Sequence, residues 1–114
     1  MNSNEEIREE LRQPALDLRG LIPDVMKGFA SLSSAAMAPG ELKVGMKELL
    51  ALSIAVTREC DGCIVAHARG CVRNGVTRQQ VAEAMGVAIS MNGGPGTVWG
   101  PRALRAFDEA FAAS

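Results

Sequence analysis

Tyrosine is absent from this chain, and one tryptophan and three phenylalanines are the only aromatics among its 114 residues. A β-sandwich would draw on aromatic and β-branched side chains for its inner faces, so their scarcity favours helices packed by aliphatic stripes. Charge of one sign is lacking too: 12 Lys and Arg stand against 13 Asp and Glu. A surface for nucleic-acid phosphates or anionic membranes is therefore not indicated. No run approaches the roughly 18 uninterrupted apolar residues that would cross a bilayer. The opening Met1-Asn2-Ser3-Asn4-Glu5-Glu6 is acidic and polar, unlike the basic start and apolar run of a signal peptide. These absences predict a cytoplasmic protein with neither nucleic acid nor membrane as partner. Cysteine is scarce and odd in number, at three. In that compartment one close pair among them points to catalysis or metal binding, not to a disulfide framework.

What the chain does have is Ala, Leu, Val, Ile and Met, within an apolar share of 47%. Its length suits a single domain over residues 1–114 with a small core. Near-zero charge combined with so much apolar surface predicts self-association.

The local signals are helical throughout, and the expected fold class is all-α. Ser3-Asn4-Glu5-Glu6 has capping-box form and opens a short helix through about Leu11, which Pro14 interrupts. Pro23 suits the first position of a second helix, running to about Ala36. Pro39-Gly40 marks a loop. Val44 to Thr57 reads as a third helix, apolar on most sides and so expected at the buried centre. Thr57-Arg58-Glu59 breaks it. A fourth helix begins near Cys60 or Asp61 and stops at Asn74-Gly75. Thr77 and Gln80 form a capping box for a fifth, ending near Met91. Asn92 to Gly96 reads as a flexible loop before a last amphipathic helix carrying Val98, Leu104, Phe107 and Phe111.

The chemistry concentrates in Cys60-Asp61-Gly62-Cys63-Ile64-Val65-Ala66-His67. On a helix, offsets of three and seven place both thiols and the only histidine within a sector of about 60°. Thiols at a helix start meet unpaired backbone N–H groups, which stabilise a thiolate. His67 follows Cys63 by four residues, within side-chain reach, and a neutral imidazole can take the proton of a thiol. Glu48 is a carboxylate on an otherwise apolar helix. If the third helix packs on the fourth, it can orient the imidazole or pass protons.

Glu48, eleven residues, Cys60, two residues, Cys63, three residues and His67 form an order that resembles the AhpD-like alkylhydroperoxidase branch of the carboxymuconolactone decarboxylase superfamily. Lys47-Glu48-Leu49-Leu50-Ala51-Leu52, Ala66-His67-Ala68, Gly75-Val76-Thr77 and Val81-Ala82-Glu83-Ala84 extend the likeness over about residues 41–91. The resemblance implies an all-helical protein of about six helices that assembles into a homo-oligomer, a trimer or hexamer among others. It implies an antioxidant dithiol oxidoreductase needing neither metal nor haem as cofactor. Carried over, Cys63 is the peroxide-attacking thiol, Cys60 the resolving thiol, and His67 with Glu48 the proton relay. Substrates would be hydroperoxides or disulfides, and an external dithiol, such as a lipoyl-bearing protein, the donor. Gly62 stands where some members carry an extra histidine or an aromatic. Members that decarboxylate a lactone lack the cysteine pair.

Plainer readings compete. The same family could supply a general disulfide reductase or redox sensor. Cys60, Cys63, His67 and Glu48 also offer four ligands for zinc, though the second cysteine knuckle usual in structural sites is missing. A non-catalytic helical module with structural cysteines is the third alternative. Cys71 reads as a small core residue, Glu83 as a surface charge, and Trp99 and the phenylalanines as packing. Gly93, Gly94 and Gly96 follow no strand and make no phosphate loop. Methionines 26, 37, 46, 85 and 91 read as gap fillers in the core or at a subunit contact.

Overall fold

In the computed structural model, which describes residues 2–114, Ser3 opens α1 (Asn4–Leu21) by accepting the Glu6 N–H on its Oγ at 3.2 Å. Met1 lies outside the described residues. Pro23 starts α2 (Pro23–Met37). Then come α3 (Val44–Thr57), α4 (Asp61–Arg73), α5 (Arg78–Asn92) and α6 (Gly94–Ala112), with no strand among the described residues. The all-α expectation of about six helices holds. Thr77 caps α5 as its sequence predicted: Oγ1 accepts the Gln80 N–H at 3.1 Å and the Gln80 side chain accepts the Thr77 N–H at 2.9 Å. Gly75, at φ 74°, ends α4 in the left-handed region that glycine enters without penalty.

Two local expectations need correction, and a third is met in part. Pro14 does not interrupt α1, which continues through it to Leu21. A proline removes one backbone bond and crowds the carbonyl four residues back. Glu10 and its neighbours are exposed, so water can serve the freed carbonyl. The loop after α5 shrinks to Gly93, whose positive φ of 67° turns the chain straight into α6. α3 does lie at the centre, packed against α4, α5 and α6, but one of its sides is uncovered. Leu52, Ala55 and Val56 face the core, while Met46, Leu50 and Ile54 form an exposed stripe at helical spacing.

The core lies among α3, α4, α5 and α6. Leu52, Ile64 and Val81 are fully buried there, and Phe107 and Met85 close it. α5 and α6 approach closely because Gly96 has no side chain: a Cβ there would lie 2.8 Å from the Ile89 Cα. α1 is anchored by Ile7, its one buried residue, while Asn4 donates to the Ala106 carbonyl at 2.8 Å. α2 has no buried residue. Its last turn is held by the Lys47 ammonium, which donates to the carbonyls of Ala36 and Ala38 at 2.9 and 2.6 Å. The packing expectation for the aromatics and methionines divides accordingly. Phe107 and Met85 are core, whereas Phe29, Phe111, Met46 and Met91 are exposed.

Candidate functional site

The turn between α3 and α4 builds the site. α3 closes with two backbone bonds, Glu59 N–H to the Val56 carbonyl and Cys60 N–H to the Ala55 carbonyl, each 3.1 Å. This is the Schellman pattern, with Glu59 at φ 53° in the place glycine usually takes. The reversal leaves Cys60 extended, at φ −105°, as the N-cap of α4. A cysteine thus stands where serine or aspartate would normally satisfy the helix. Its Sγ accepts the Cys63 N–H at 3.3 Å. The Cα atoms of Cys60 and Cys63 are 5.3 Å apart and the two sulfurs are joined as a disulfide. Cys63 is the exposed residue of the pair and Cys60 is half-buried.

One turn further along α4 stands His67, 31% exposed at its side chain. Glu48 reaches it from α3, with its own side chain 13% exposed. The His67 Nδ1 and Glu48 Oε2 are 2.8 Å apart. An ionised carboxylate only accepts, so Nδ1–H is the donor. In the neutral ring the lone pair then belongs to Nε2, the nitrogen left free to take a proton. The four predicted residues therefore form two couples, Cys60 with Cys63 and His67 with Glu48. Among the described residues no hydrogen bond joins the imidazole to either sulfur.

Cys71 is fully buried two turns along α4, in the core where it was expected. Burial, with the Glu48 charge as the smaller cause, pushes its thiol up to about 12. A thiol so protonated is a poor nucleophile. Among the described residues no three His, Cys, Asp or Glu side chains converge to hold a metal ion. Both pair sulfurs are in any case bonded to each other.

Two contacts at the site escaped sequence reasoning. α1 passes over the cysteine loop: a Cβ on Gly62 would lie 3.0 Å from Leu11 Cδ1. Nothing local in the sequence signals this long-range meeting. The Glu48 carboxylate rests against Gly70, where an added Cβ would overlap it. The available signal was a glycine placed inside a helix, where it costs stability unless something needs the space.

Six helices, with a cysteine pair capping one of them and a carboxylate–imidazole couple a turn beyond, define the class. The chain belongs to the Carboxymuconolactone decarboxylase family, whose sequence profile matches residues 23–109. An uncharacterized protein of Cupriavidus necator is 38% identical over 86 residues, covering 75% of this chain and 76% of the relative. A Paracoccus denitrificans protein, known as uncharacterized protein 4 in the cox locus, is 36% identical over 81 residues, or 71% and 73% of the two chains. Among solved structures, the apo form of a carboxymuconolactone decarboxylase family protein from Legionella pneumophila superposes with a TM-score of 0.91. It is 35% identical, and the match covers 95% of this chain and 96% of that one. A Thermotoga maritima family member, for which a role in antioxidative response has been suggested, gives a TM-score of 0.74 at 28% identity, over 88% of each chain. No helix of this chain, among the described residues, is long and apolar enough to cross a membrane.

Proposed function

We propose that this protein is a dithiol oxidoreductase of the AhpD-like branch, reducing hydroperoxides through Cys60 and Cys63. The observation that carries this reading is the cysteine pair at the start of α4, close enough to bond, with a carboxylate-oriented imidazole one turn away. The disulfide is the oxidised form of the cycle. In the reduced form, His67 Nε2 takes the Cys63 proton while Glu48 steadies the resulting imidazolium. The N-terminal N–H groups of α4 favour the thiolate. Cys63, the exposed member of the pair, attacks the terminal peroxide oxygen. The O–O bond breaks, the alkoxide takes a proton and leaves as an alcohol, and Cys63 becomes a sulfenic acid. The Cys60 thiol displaces its hydroxyl as water, giving the disulfide. An external dithiol then restores both thiols and is itself oxidised to a disulfide. The suggested antioxidative role of the Thermotoga relative points the same way.

The test is steady-state reduction of cumene and tert-butyl hydroperoxides with dihydrolipoamide as donor, beside simple disulfides as substrates. Turnover of hydroperoxide that is lost in Cys63→Ser supports the reading. Turnover of disulfides alone favours the general reductase.

The reading includes a homo-oligomer. The accessible surface of the chain is 7372 Å², against about 6,000 Å² for a compact monomer of this mass. The excess exceeds the roughly 800 Å² that one partner contributes to an ordinary stable interface. It coincides with exposed apolar stripes, of which Val25, Phe29 and Leu32 on α2 are the clearest, each about two-thirds exposed. A second copy of the chain is the occupant that the family resemblance implies.

A further inference from the structure

We propose that Gly70 is a positioning residue for the proton relay: its bare Cα is the seat on which the Glu48 carboxylate rests, and this seat fixes the His67 tautomer. The inference builds on the relay described above. Gly70 is the tenth of thirteen residues in α4 and is buried. Neither a turn nor a left-handed backbone asks for glycine there, since its φ is not positive. Mid-helix glycine is less stable than alanine because it loses more backbone freedom on folding. The position therefore carries a cost that local structure does not explain.

The space above it does. A Cβ built on Gly70 would overlap the Glu48 carboxyl carbon and one oxygen, and would lie 2.7 Å from the other. A methyl group cannot share that volume, so any side chain here moves the carboxylate. The backbone beneath is pinned: the Gly70 carbonyl accepts the Asn74 side-chain N–H at 2.8 Å and the Asn74 backbone N–H at 3.1 Å. It is the carboxylate, on its flexible arm from α3, that must yield. From its present seat it accepts the His67 Nδ1–H at 2.8 Å, three residues back on α4. The negative field of Glu48 is also felt at Cys71, the residue after Gly70. The carboxylate thus lies across α4 between His67 and Cys71. Held there, it keeps the ring proton on Nδ1 and the lone pair on Nε2. Displaced, it leaves the ring free to exchange tautomers and to rotate.

The experiment compares the full-length wild type, Gly70→Ala, Glu48→Ala and the double variant. Two readouts are taken on the reduced proteins: the ¹⁵N chemical shifts of the single imidazole, and the rate of Cys63 alkylation against pH. In wild type above the histidine pKa the shifts should report a protonated Nδ1. Gly70→Ala should move them toward a tautomer mixture and slow alkylation near neutral pH by roughly the tenfold typical of lost supporting contacts. Glu48→Ala should do the same, and adding Gly70→Ala to it should change nothing further. The double variant should also melt above Glu48→Ala, because an alanine now occupies an empty seat. Since Glu48→Ala vacates the volume, the double variant remains informative if Gly70→Ala alone folds poorly. Imidazole shifts in Gly70→Ala identical to wild type would overturn the assignment. So would an equal loss of alkylation rate on adding Gly70→Ala to Glu48→Ala, since Gly70 would then act without Glu48. The imidazole readout needs no peroxide turnover, so wild-type protein that reduces no hydroperoxide sinks the proposed activity and leaves this placement standing.

Discussion

The α1–α2 pair and the α3–α6 body are both helical and rich in apolar side chains, yet they bury opposite amounts. In the body, apolar stripes from four helices meet, and Leu52, Ile64 and Val81 lose all contact with solvent. In α1 and α2 only Ile7 is buried. Leu21, at 80% exposed, and the stripe on α2 face outward. The difference teaches that helix formation and burial are separately encoded. Ser3 and Pro23 suffice to start α1 and α2. Among the described residues, Val25, Phe29 and Leu32 on α2 stay about two-thirds exposed. On the proposed reading a second copy of the chain covers them.

The comparison can be broken from either side. The largest effect is expected in the body, where Phe107→Ala should cost about 3–5 kcal/mol in urea unfolding by opening a cavity in the core. A cost below 1 kcal/mol would mean that the body is not the stable unit. Next, Phe29→Asp on α2 should leave the helical circular dichroism of the body in place and, on the proposed reading, lower the sedimentation coefficient by dissociating the proposed homo-oligomer. Unchanged sedimentation would remove α2 from the interface. Thr77→Ala, which deletes the cap of α5, should cost about 1 kcal/mol. An α5 indifferent to that change would owe its start to packing alone.

The smallest effect concerns the α5–α6 surface pair. Arg78 Nε donates to Asp108 Oδ1 at 2.9 Å. That bond, ahead of the Arg78 charge, holds the Asp108 carboxyl below its ordinary 3.8. A carboxyl lowered in the folded state stabilises above its ordinary value and ceases to do so as the pH falls through the lowered one. Both groups are well exposed, so the term is small. Asp108→Asn should therefore differ slightly from wild type at pH 7 and converge with it below pH 3.8. A gap that widens in acid would contradict the sign.

Much of the fold was legible because its starts and stops are chemical. The Thr77 capping box, Pro23 and Gly75 acted where the sequence put them. Pro14 misled because a proline's effect depends on whether water reaches the freed carbonyl, which is a property of the surface. The exposure of Leu50 and Ile54 was hidden because periodicity tells which residues share a face, not what that face meets. At the site, spacing along one helix sufficed for Cys60, Cys63 and His67. Glu48 needed the packing of α3 on α4, and the seat at Gly70 needed three dimensions outright.

The central claim is that Cys60 and Cys63 are the redox pair. Its most direct test is to treat the fully reduced protein with one equivalent of cumene hydroperoxide and map the cysteines by mass spectrometry. The account predicts a Cys60–Cys63 disulfide, one equivalent of alcohol, and Cys71 still a free thiol. Two free pair thiols with the peroxide unconsumed, or a disulfide engaging Cys71, would contradict it.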